Sequence, residues 1–159
     1  MTWYRSAAEQ GHSDSQHNLG TMYYTGDGIT QNYTEALKWF RKAAAQGMTE
    51  AQYNLGVMYR DGEGVTQDYE EAVKWFRMAA EEGVAGAQHN LGVMYADGQG
   101  VARDFVEAYK WISLAIAGGM IEFEEILSLL QEHMSEAQVA ESVRGAELWL
   151  SQRQEKKPQ

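Results

Sequence analysis

Histidine is the residue of this sequence best suited to bind a metal ion or to move a proton near neutral pH. His17 and His89 stand in the same local sequence, Gln-His-Asn-Leu-Gly, in two separate parts of the chain. If each copy belongs to its own pair of helices, axes about 8–10 Å apart keep the two rings from sharing one ion. His12 and His133 lie elsewhere, and no His-Glu-x-x-His pattern occurs. We therefore interpret the histidines as surface residues and expect no metal and no cofactor.

The run Asp61-Gly62-Glu63-Gly64 has the oxygen ligands that calcium prefers. It lacks the alternating ligands and the distal glutamate of a twelve-residue calcium loop, and its glycines fit a tight turn instead. The sequence contains no cysteine, no Gly-x-Ser-x-Gly or Ser-x-x-Lys pattern and no phosphate-binding glycine loop. No set of residues converges on a catalytic site, so we expect a protein that is not an enzyme.

The segments that carry these side chains repeat with a fixed stride. The tryptophans lie 36 residues apart, at Trp3, Trp39, Trp75 and Trp111. The glycines Gly11, Gly47, Gly83 and Gly119 keep the same stride. A period of roughly 20–50 residues is typical of solenoids, in which each unit buries its apolar face against its neighbours. The sequence predicts an all-α fold, a right-handed α-solenoid of stacked antiparallel helical hairpins.

The unit from Thr49 to Val84 shows how one hairpin is encoded. Thr49 and Gln52 have the spacing of a capping box, which predicts the start of the first helix. Apolar residues then recur at helical spacing, at Ala51, Leu55, Met58 and Tyr59. Gly56 interrupts this helix at a cost of about 1 kcal/mol relative to alanine. Because Gly20 and Gly92 share its register, we expect a neighbouring helix to approach closely there.

The second helix of each unit has its own start signal. Asp68 and Glu71 have capping-box spacing, and the other units repeat it with Asn32 and Glu35 and with Asp104 and Glu107. The predicted apolar face of this helix is Ala72, Trp75, Phe76, Ala79 and Ala80. Gly47 and Gly83 are predicted to end the helices.

The repeat boundaries divide the chain into segments. Residues 1–12 match only the second helix of a unit, and full units span 13–48, 49–84 and 85–120. Residues 121–151 are predicted to form divergent capping helices, with a start signal at Ser135 and Gln138, and 152–159 a flexible tail. The half-repeat start indicates a natural cap, dimerisation through Trp3 and Ala7, or a fragment of a longer repeat protein.

The run AQYNLGVMYRDGEGVTQDYEEAVKWFRMAAEEG and its two neighbouring copies closely resemble Sel1-like repeats, a branch of the tetratricopeptide class. The resemblance implies a bacterial adaptor or scaffold that assembles protein complexes. One cysteine-rich branch has been linked to β-lactam binding or hydrolysis. This chain lacks cysteine, which leaves a binder or hydrolase of cell-wall or β-lactam-like small molecules as the second hypothesis.

The composition narrows the class of partner. The net charge is −10, from 13 basic and 23 acidic residues. A nucleic-acid binder needs a basic surface, so we expect a protein or peptide partner and no nucleic acid. No apolar stretch is long enough to span a bilayer, and no signal-peptide pattern is present. The sequence does not fix the compartment. We expect a cytoplasmic protein by default, and a periplasmic or secreted one if the N-terminus was removed.

The resemblance also implies a binding site, because tetratricopeptide-like solenoids bind ligands on the concave face lined by first helices. Alignment on Asn-Leu-Gly gives, in the first unit, Asp14, His17, Asn18, Thr21, Tyr24 and Thr25. The central unit contributes Glu50, Tyr53, Asn54, Val57, Arg60 and Asp61, and the third Gly86, His89, Asn90, Val93, Ala96 and Asp97. The residue types at most of these positions differ between the three repeats, whereas the positions needed for packing keep the same residue. Tyr53 and Arg60 are the expected anchors.

Two points about this site remain open from the sequence. Arg60 could pair with a carboxylate of the partner, whereas Asp61 and Asp97 could capture a lysine or an arginine. The asparagines Asn18, Asn54 and Asn90 could hydrogen-bond a peptide backbone or the neighbouring repeat. Because the asparagine is identical in every unit, the second reading is favoured.

Overall fold

The computed structural model describes residues 2–155, and the side chains of residues 5–155. Within this part the structure is all-α, without a strand, and it divides into two compact units, Met1–Glu82 and Gly83–Gln159. The N-terminal unit contains α1 (Thr2–Glu9), α2 (Ser13–Thr25), α3 (Tyr33–Ala44), α4 (Thr49–Asp61) and α5 (Tyr69–Glu81). The C-terminal unit contains α6 (Ala85–Asp97), α7 (Phe105–Ala117), a 3₁₀ turn (Ile121–Phe123), α8 (Glu124–Gln131) and α9 (Glu136–Glu155). The expected fold class of stacked helical hairpins is confirmed.

The core of the N-terminal unit lies both within its hairpins and between neighbouring hairpins. Ala51, Leu55 and Met58 on α4 are fully buried, as the helical spacing predicts. They form one cluster with apolar residues of α3, while Phe76 on α5 is also fully buried. The fixed apolar residues of α4 therefore pack against the second helix of the preceding repeat and hold neighbouring hairpins together.

The glycine inside the first helix of each repeat permits a close contact within the hairpin, as predicted. A Cβ atom added to Gly56 would lie 2.6 Å from two ring carbons of Phe76. The equivalent distances are 2.7 Å from Gly20 to Phe40 and 2.6 Å from Gly92 to Ile112. The side chain that comes close to the glycine belongs to the second helix of the same repeat, so packing requires a glycine there.

The predicted N-cap side chains of the second helices are present, but the reciprocal half of each capping box is absent. The backbone N–H groups of Asn32, Asp68 and Asp104 donate instead to the carbonyls of Tyr23, Tyr59 and Tyr95. Asn32, Asp68 and Asp104 each accept a hydrogen bond from the backbone N–H three residues later, at 3.1, 3.0 and 3.1 Å. Each bond satisfies an N–H that has no partner within the helix.

Removal of the cap at Asp68 gives a first testable prediction. Asp68→Ala should lower the free energy of unfolding by about 0.5–2 kcal/mol, because the N–H of Glu71 loses its acceptor. Asp68→Asn is the matched control, since Asn32 makes the same bond one repeat earlier. Urea denaturation followed by circular dichroism measures both. Equal losses in the two variants would contradict the capping role.

The predicted capping box of Thr49 and Gln52 is wrong. The helix α4 begins at Thr49, its N-cap position is Met48, and no side chain caps it. The Thr49 hydroxyl donates instead to Glu50 at 3.1 Å. Gln52 is 5% exposed and lies among the buried residues of α4. Its side chain is packed inward, so it cannot reach back to the helix start.

The C-terminal unit ends in a pair of helices. Ser135 and Gln138 form the predicted capping box, with the Ser135 N–H donating to Gln138 Oε1 at 2.9 Å and the Gln138 N–H donating to Ser135 Oγ at 3.3 Å. The tail predicted from Gln152 is helical as far as Glu155, because Arg153 stays on α9 with its guanidinium 5.0 Å from the Trp149 ring. Residues 156–159 of that predicted tail lie outside the described residues.

The N-terminal helix α1 packs against α2. Ala8 is buried together with Leu19 and Trp39. The side chain of Trp3 lies outside the described side chains, so dimerisation through Trp3 and Ala7 stays a prediction.

Candidate functional site

The helix α4 is divided lengthwise into a packed side and a free side. Leu55 and Met58 are completely buried, whereas Tyr53, Val57 and Arg60 are only half-buried. The same division holds on α2. We call this half-buried side of the two helices the first-helix surface. It comprises His17, Thr21, Tyr24, Tyr53, Asn54, Val57 and Arg60.

A hydrogen bond links α2 and α4 across this surface. Asn54 Nδ2 donates to His17 Nε2 at 3.1 Å, which assigns the ring proton to Nδ1. The His17 ring also lies 5.6 Å from the ring of Phe40, centroid to centroid. Asn54 therefore bonds the neighbouring repeat, which is the reading favoured from the sequence.

The environment of His17 favours its neutral form. Burial lowers the pKa of His17 below its ordinary value of 6.5, and the carboxylates of Glu50 and Asp14 only partly oppose this shift. Neutral imidazole is also the form that can accept the bond from Asn54. At neutral pH the link between the two repeats is consequently uncharged.

This lowered pKa predicts a dependence of stability on pH. As the pH falls below 6.5, the unfolded chain takes up a proton at His17 before the folded chain does, so folding becomes less favourable. His17→Gln should remove this loss between pH 6.5 and the lower folded-state pKa. Denaturation of both proteins at pH 7.5 and pH 5 measures the difference. An unchanged pH slope in the variant would contradict the prediction.

Arg60 makes a bidentate ion pair with Asp61, the next residue in the chain. Its Nε and one terminal nitrogen donate to the two carboxylate oxygens of Asp61, each at 2.7 Å. The hydrogen bond to Asp61 raises the pKa of Arg60, while burial acts in the opposite direction. A partner carboxylate that approached the same edge of the guanidinium would have to displace Asp61, so an anchoring role for Arg60 has a competitor within the chain.

Tyr24 is held by a residue of the next repeat. Its hydroxyl donates to Glu63 Oε2 at 2.6 Å, and its ring lies 5.3 Å from the ring of Tyr33. Burial, followed by the bond to Glu63, raises the pKa of Tyr24 well above its ordinary value. Tyr24 therefore stays protonated, and its fixed ring closes one end of the first-helix surface.

Several predicted site residues are more exposed. Asp14, Asn18, Thr25, Glu50 and Asp61 lie at the solvent-facing edge of α2 and α4. Thr21 donates its hydroxyl to the His17 carbonyl at 3.1 Å, a bond within its own helix. The Tyr53 ring lies 5.9 Å from the ring of Phe76, which supports it from beneath.

The equivalent positions of the C-terminal unit have a different environment. The ring of Phe123 stacks on His89 at 3.9 Å between centroids, so the capping segment covers this imidazole. Asn90 donates to the Gly86 carbonyl of its own helix at 2.8 Å. Val93 and Ala96 are half-buried, and Asp97 is exposed.

Two side chains that the sequence analysis did not single out shape these surfaces. Glu63 was considered only as part of a turn, yet it bonds Tyr24 across 39 positions of the chain. Phe123 belongs to the segment predicted only as divergent capping helices, and its stacking on His89 depends on the 3₁₀ turn that precedes α8. The only sequence signal for such contacts was that the residues at these positions differ from one repeat to the next.

The described residues also give two negative observations. They contain no group of three or more histidine, cysteine, aspartate or glutamate side chains placed to hold a metal ion. None of the helices in residues 2–155 combines the length and apolar character needed to cross a bilayer.

Comparison with known families and structures gives consistent results. A family model described as Sel1 repeat matches residues 1–12, 13–48, 49–84 and 85–120. A crystal structure of a Sel1 repeat protein from Oxalobacter formigenes is 35% identical, with a TM-score of 0.73, and the match covers 76% of this chain and 49% of that one. A search of curated proteins gave no match.

A second solved structure is similar along almost the whole chain. It is c5321, a protective antigen present in uropathogenic Escherichia coli strains and displaying an SLR fold. It is 30% identical with a TM-score of 0.73, and the match covers 99% of this chain and 44% of that one. The present chain thus spans about half the length of these two relatives.

The family carries a general function. Sel1 repeats mediate protein interactions, commonly as scaffolds, and the proteins that contain them are typically non-catalytic adaptors. The repeated hairpins, the matching family model and the two bacterial structures lead to one conclusion: this chain belongs to the Sel1 repeat family.

Proposed function

We propose that this chain is a non-catalytic adaptor that binds a peptide or a helix of a partner protein on the first-helix surface of its N-terminal unit. The observation that carries the proposal is the row of Tyr53, Val57 and Arg60 on α4. These side chains lie on one side of the helix and are half-buried, although the core is filled by the opposite side. Aromatic and arginine side chains in such positions are the residues that contribute most to protein interfaces.

The charges around this row favour a partner with basic groups. Asp14 and Glu50 are exposed at the edge of the surface, and Glu63 lies beside Tyr24. Arg60 is already paired with Asp61, so its charge is largely compensated within the chain. A segment with an apolar side chain for Tyr53 and Val57 and a lysine or arginine for the acidic edge would complement both properties.

The C-terminal unit offers a smaller set of contacts in this proposal. Val93 and Asp97 on α6 are equivalent to Val57 and Asp61 on α4, and they supply one apolar and one acidic group. His89 takes a lesser part than its position predicts, because Phe123 stacks on its ring. We therefore expect the N-terminal unit to provide most of the binding energy.

Affinity capture from a lysate of the source organism tests the proposal. The wild-type chain is compared with a Tyr53→Ala/Arg60→Glu double variant, and retained proteins are quantified by mass spectrometry. We expect at least one protein to be retained by the wild type and lost with the variant. Circular dichroism must show that the variant remains folded.

Lys74→Glu provides the matched control for the charge change. Lys74 is exposed on α5, where it pairs only with Glu71 of its own helix. Reversal of this charge should leave capture unchanged. Loss of the same protein with Lys74→Glu, or equal capture by the wild type and the double variant, would count against a site on the first-helix surface.

A further inference from the structure

A second surface of the N-terminal unit carries a cavity of about 260 Å³ between the start of α4 and the end of α5. Its lining residues are Gly47, Thr49, Gln52, Met78, Glu81 and Glu82. The volume is below the roughly 300–1,000 Å³ of pockets for drug-sized ligands, so it suits a single side chain or a small ligand. None of these six residues belongs to the first-helix surface.

One of the residues that line the cavity, Gln52, has a buried polar atom without a partner. Gln52 is 5% exposed, and its Oε1 atom has no hydrogen-bond partner among the described residues. A buried acceptor left in this state is unfavourable, so an N–H donor that entered the cavity would gain a strong bond there. The terminal torsion of glutamine is soft, which allows the amide to turn toward such a donor.

The first repeat shows how the same glutamine is normally satisfied. Gln16, the equivalent of Gln52, donates from Nε2 to the Ala8 carbonyl at 3.0 Å. Its Oε1 accepts a bond of 2.7 Å from Nε2 of Gln46. The position equivalent to Gln46 in the second repeat is Glu82. A carboxylate has no N–H to donate, so the internal donor is missing in that repeat.

The neighbouring positions change in the same direction. Lys42 and Ala45 of the first repeat correspond to Met78 and Glu81 of the second. A basic and a neutral residue are thus replaced by an apolar and an acidic one. Met78 is 45% exposed, so its side chain provides a contact for a hydrocarbon stem.

We propose that this cavity is a binding site for an alkylammonium group. The Glu82 carboxylate would neutralise the charge, the Gln52 amide oxygen would accept one N–H, and Met78 would contact the alkyl stem. The shared chemistry occurs in the lysine side chain of a protein and in free diamines. The site requires no partner on the first-helix surface, so it stands independently of the adaptor role.

The test uses NMR spectra of the complete chain, with the Gln52 side-chain amide and the Met78 methyl as reporters. The probes are capped lysine, 1,5-diaminopentane, and capped norleucine as the analogue of lysine without the ammonium group. We expect saturable shifts at both reporters with an ammonium probe and none with norleucine. In Glu82→Gln, the affinity should fall at least about tenfold, because one charge is lost and an internal donor is restored.

A stability measurement keeps the test decisive. Glu82→Gln should raise Tm by about 2–4 °C, since the new amide can donate to Gln52 as Gln46 does to Gln16. Gln46→Glu, the reverse exchange in the first repeat, should lower it. A larger dependence on Glu82 for capped lysine would indicate a protein ligand, and a larger one for diaminopentane a free diamine. Equal shifts with norleucine, or no effect of Glu82→Gln on the affinity of either ammonium probe, would overturn the proposal.

Discussion

Gly56→Ala is expected to destabilise the protein by about 1–2 kcal/mol in the wild-type background and to stabilise it by up to about 1 kcal/mol when Phe76 is also replaced by alanine. In the wild type, the new methyl group would meet two ring carbons of Phe76 at 2.6 Å. Overpacking of this kind costs about 1–3 kcal/mol, which exceeds the gain of about 1 kcal/mol in helix propensity. Without the ring, only the gain in propensity remains.

Phe76→Ala alone should lower the free energy of unfolding by about 3–5 kcal/mol, because Phe76 is fully buried. Urea denaturation of the two single variants and the double variant gives the coupling energy between the sites. Gly145→Ala on α9 is the matched control. Its methyl group would meet only the flexible Lys110 side chain, at 3.0 Å, so the variant should be neutral or slightly stabilising. Additive effects of Gly56→Ala and Phe76→Ala would contradict the packing role of the glycine.

Tyr53→Ala should weaken binding of the captured partner at least about 30-fold, which corresponds to the roughly 2 kcal/mol or more of an interface hot spot. The ring of Tyr53 is supported by Phe76 from beneath and remains half-buried at the surface, so it offers a rigid apolar contact. Removal of the ring leaves the core below it intact. The loss should therefore appear in affinity and not in folding.

Isothermal titration calorimetry with the purified partner measures this loss. Met78→Ala is the control, because Met78 is a large, exposed side chain on α5 that is not part of the first-helix surface. Its removal should change the affinity less than about threefold. If Tyr53→Ala bound the partner as tightly as the wild type, Tyr53 would not be an anchor.

The sequence was sufficient for the hairpins because their determinants are local and repeat in register. The caps at Asn32, Asp68 and Asp104 involve residues only three positions apart. The contact between Gly56 and Phe76 is also encoded within one unit, and its recurrence at the same register made it recognisable. Local patterns of this kind are independent of how a side chain is oriented in space.

The contacts at the candidate site could not be predicted from local sequence patterns. The bonds of Asn54 to His17 and of Glu63 to Tyr24 join different repeats, and their formation depends on rotamers that no spacing rule gives. Gln52 illustrates the same limit, because its spacing from Thr49 matches a capping box while its side chain is buried. Only comparison of Gln52 with Gln16 in the structure identifies the missing donor.

Site-specific photo-crosslinking tests most directly whether the first-helix surface binds a partner. A photoreactive amino acid is placed at Val57, at the centre of the row on α4, and for comparison at Lys74, which is exposed on α5. Irradiation in cells of the source organism is followed by mass spectrometry of the adducts. We predict a covalent adduct with one specific protein from position 57 and none from position 74. An adduct with a specific protein from position 74 alone would contradict the proposed site.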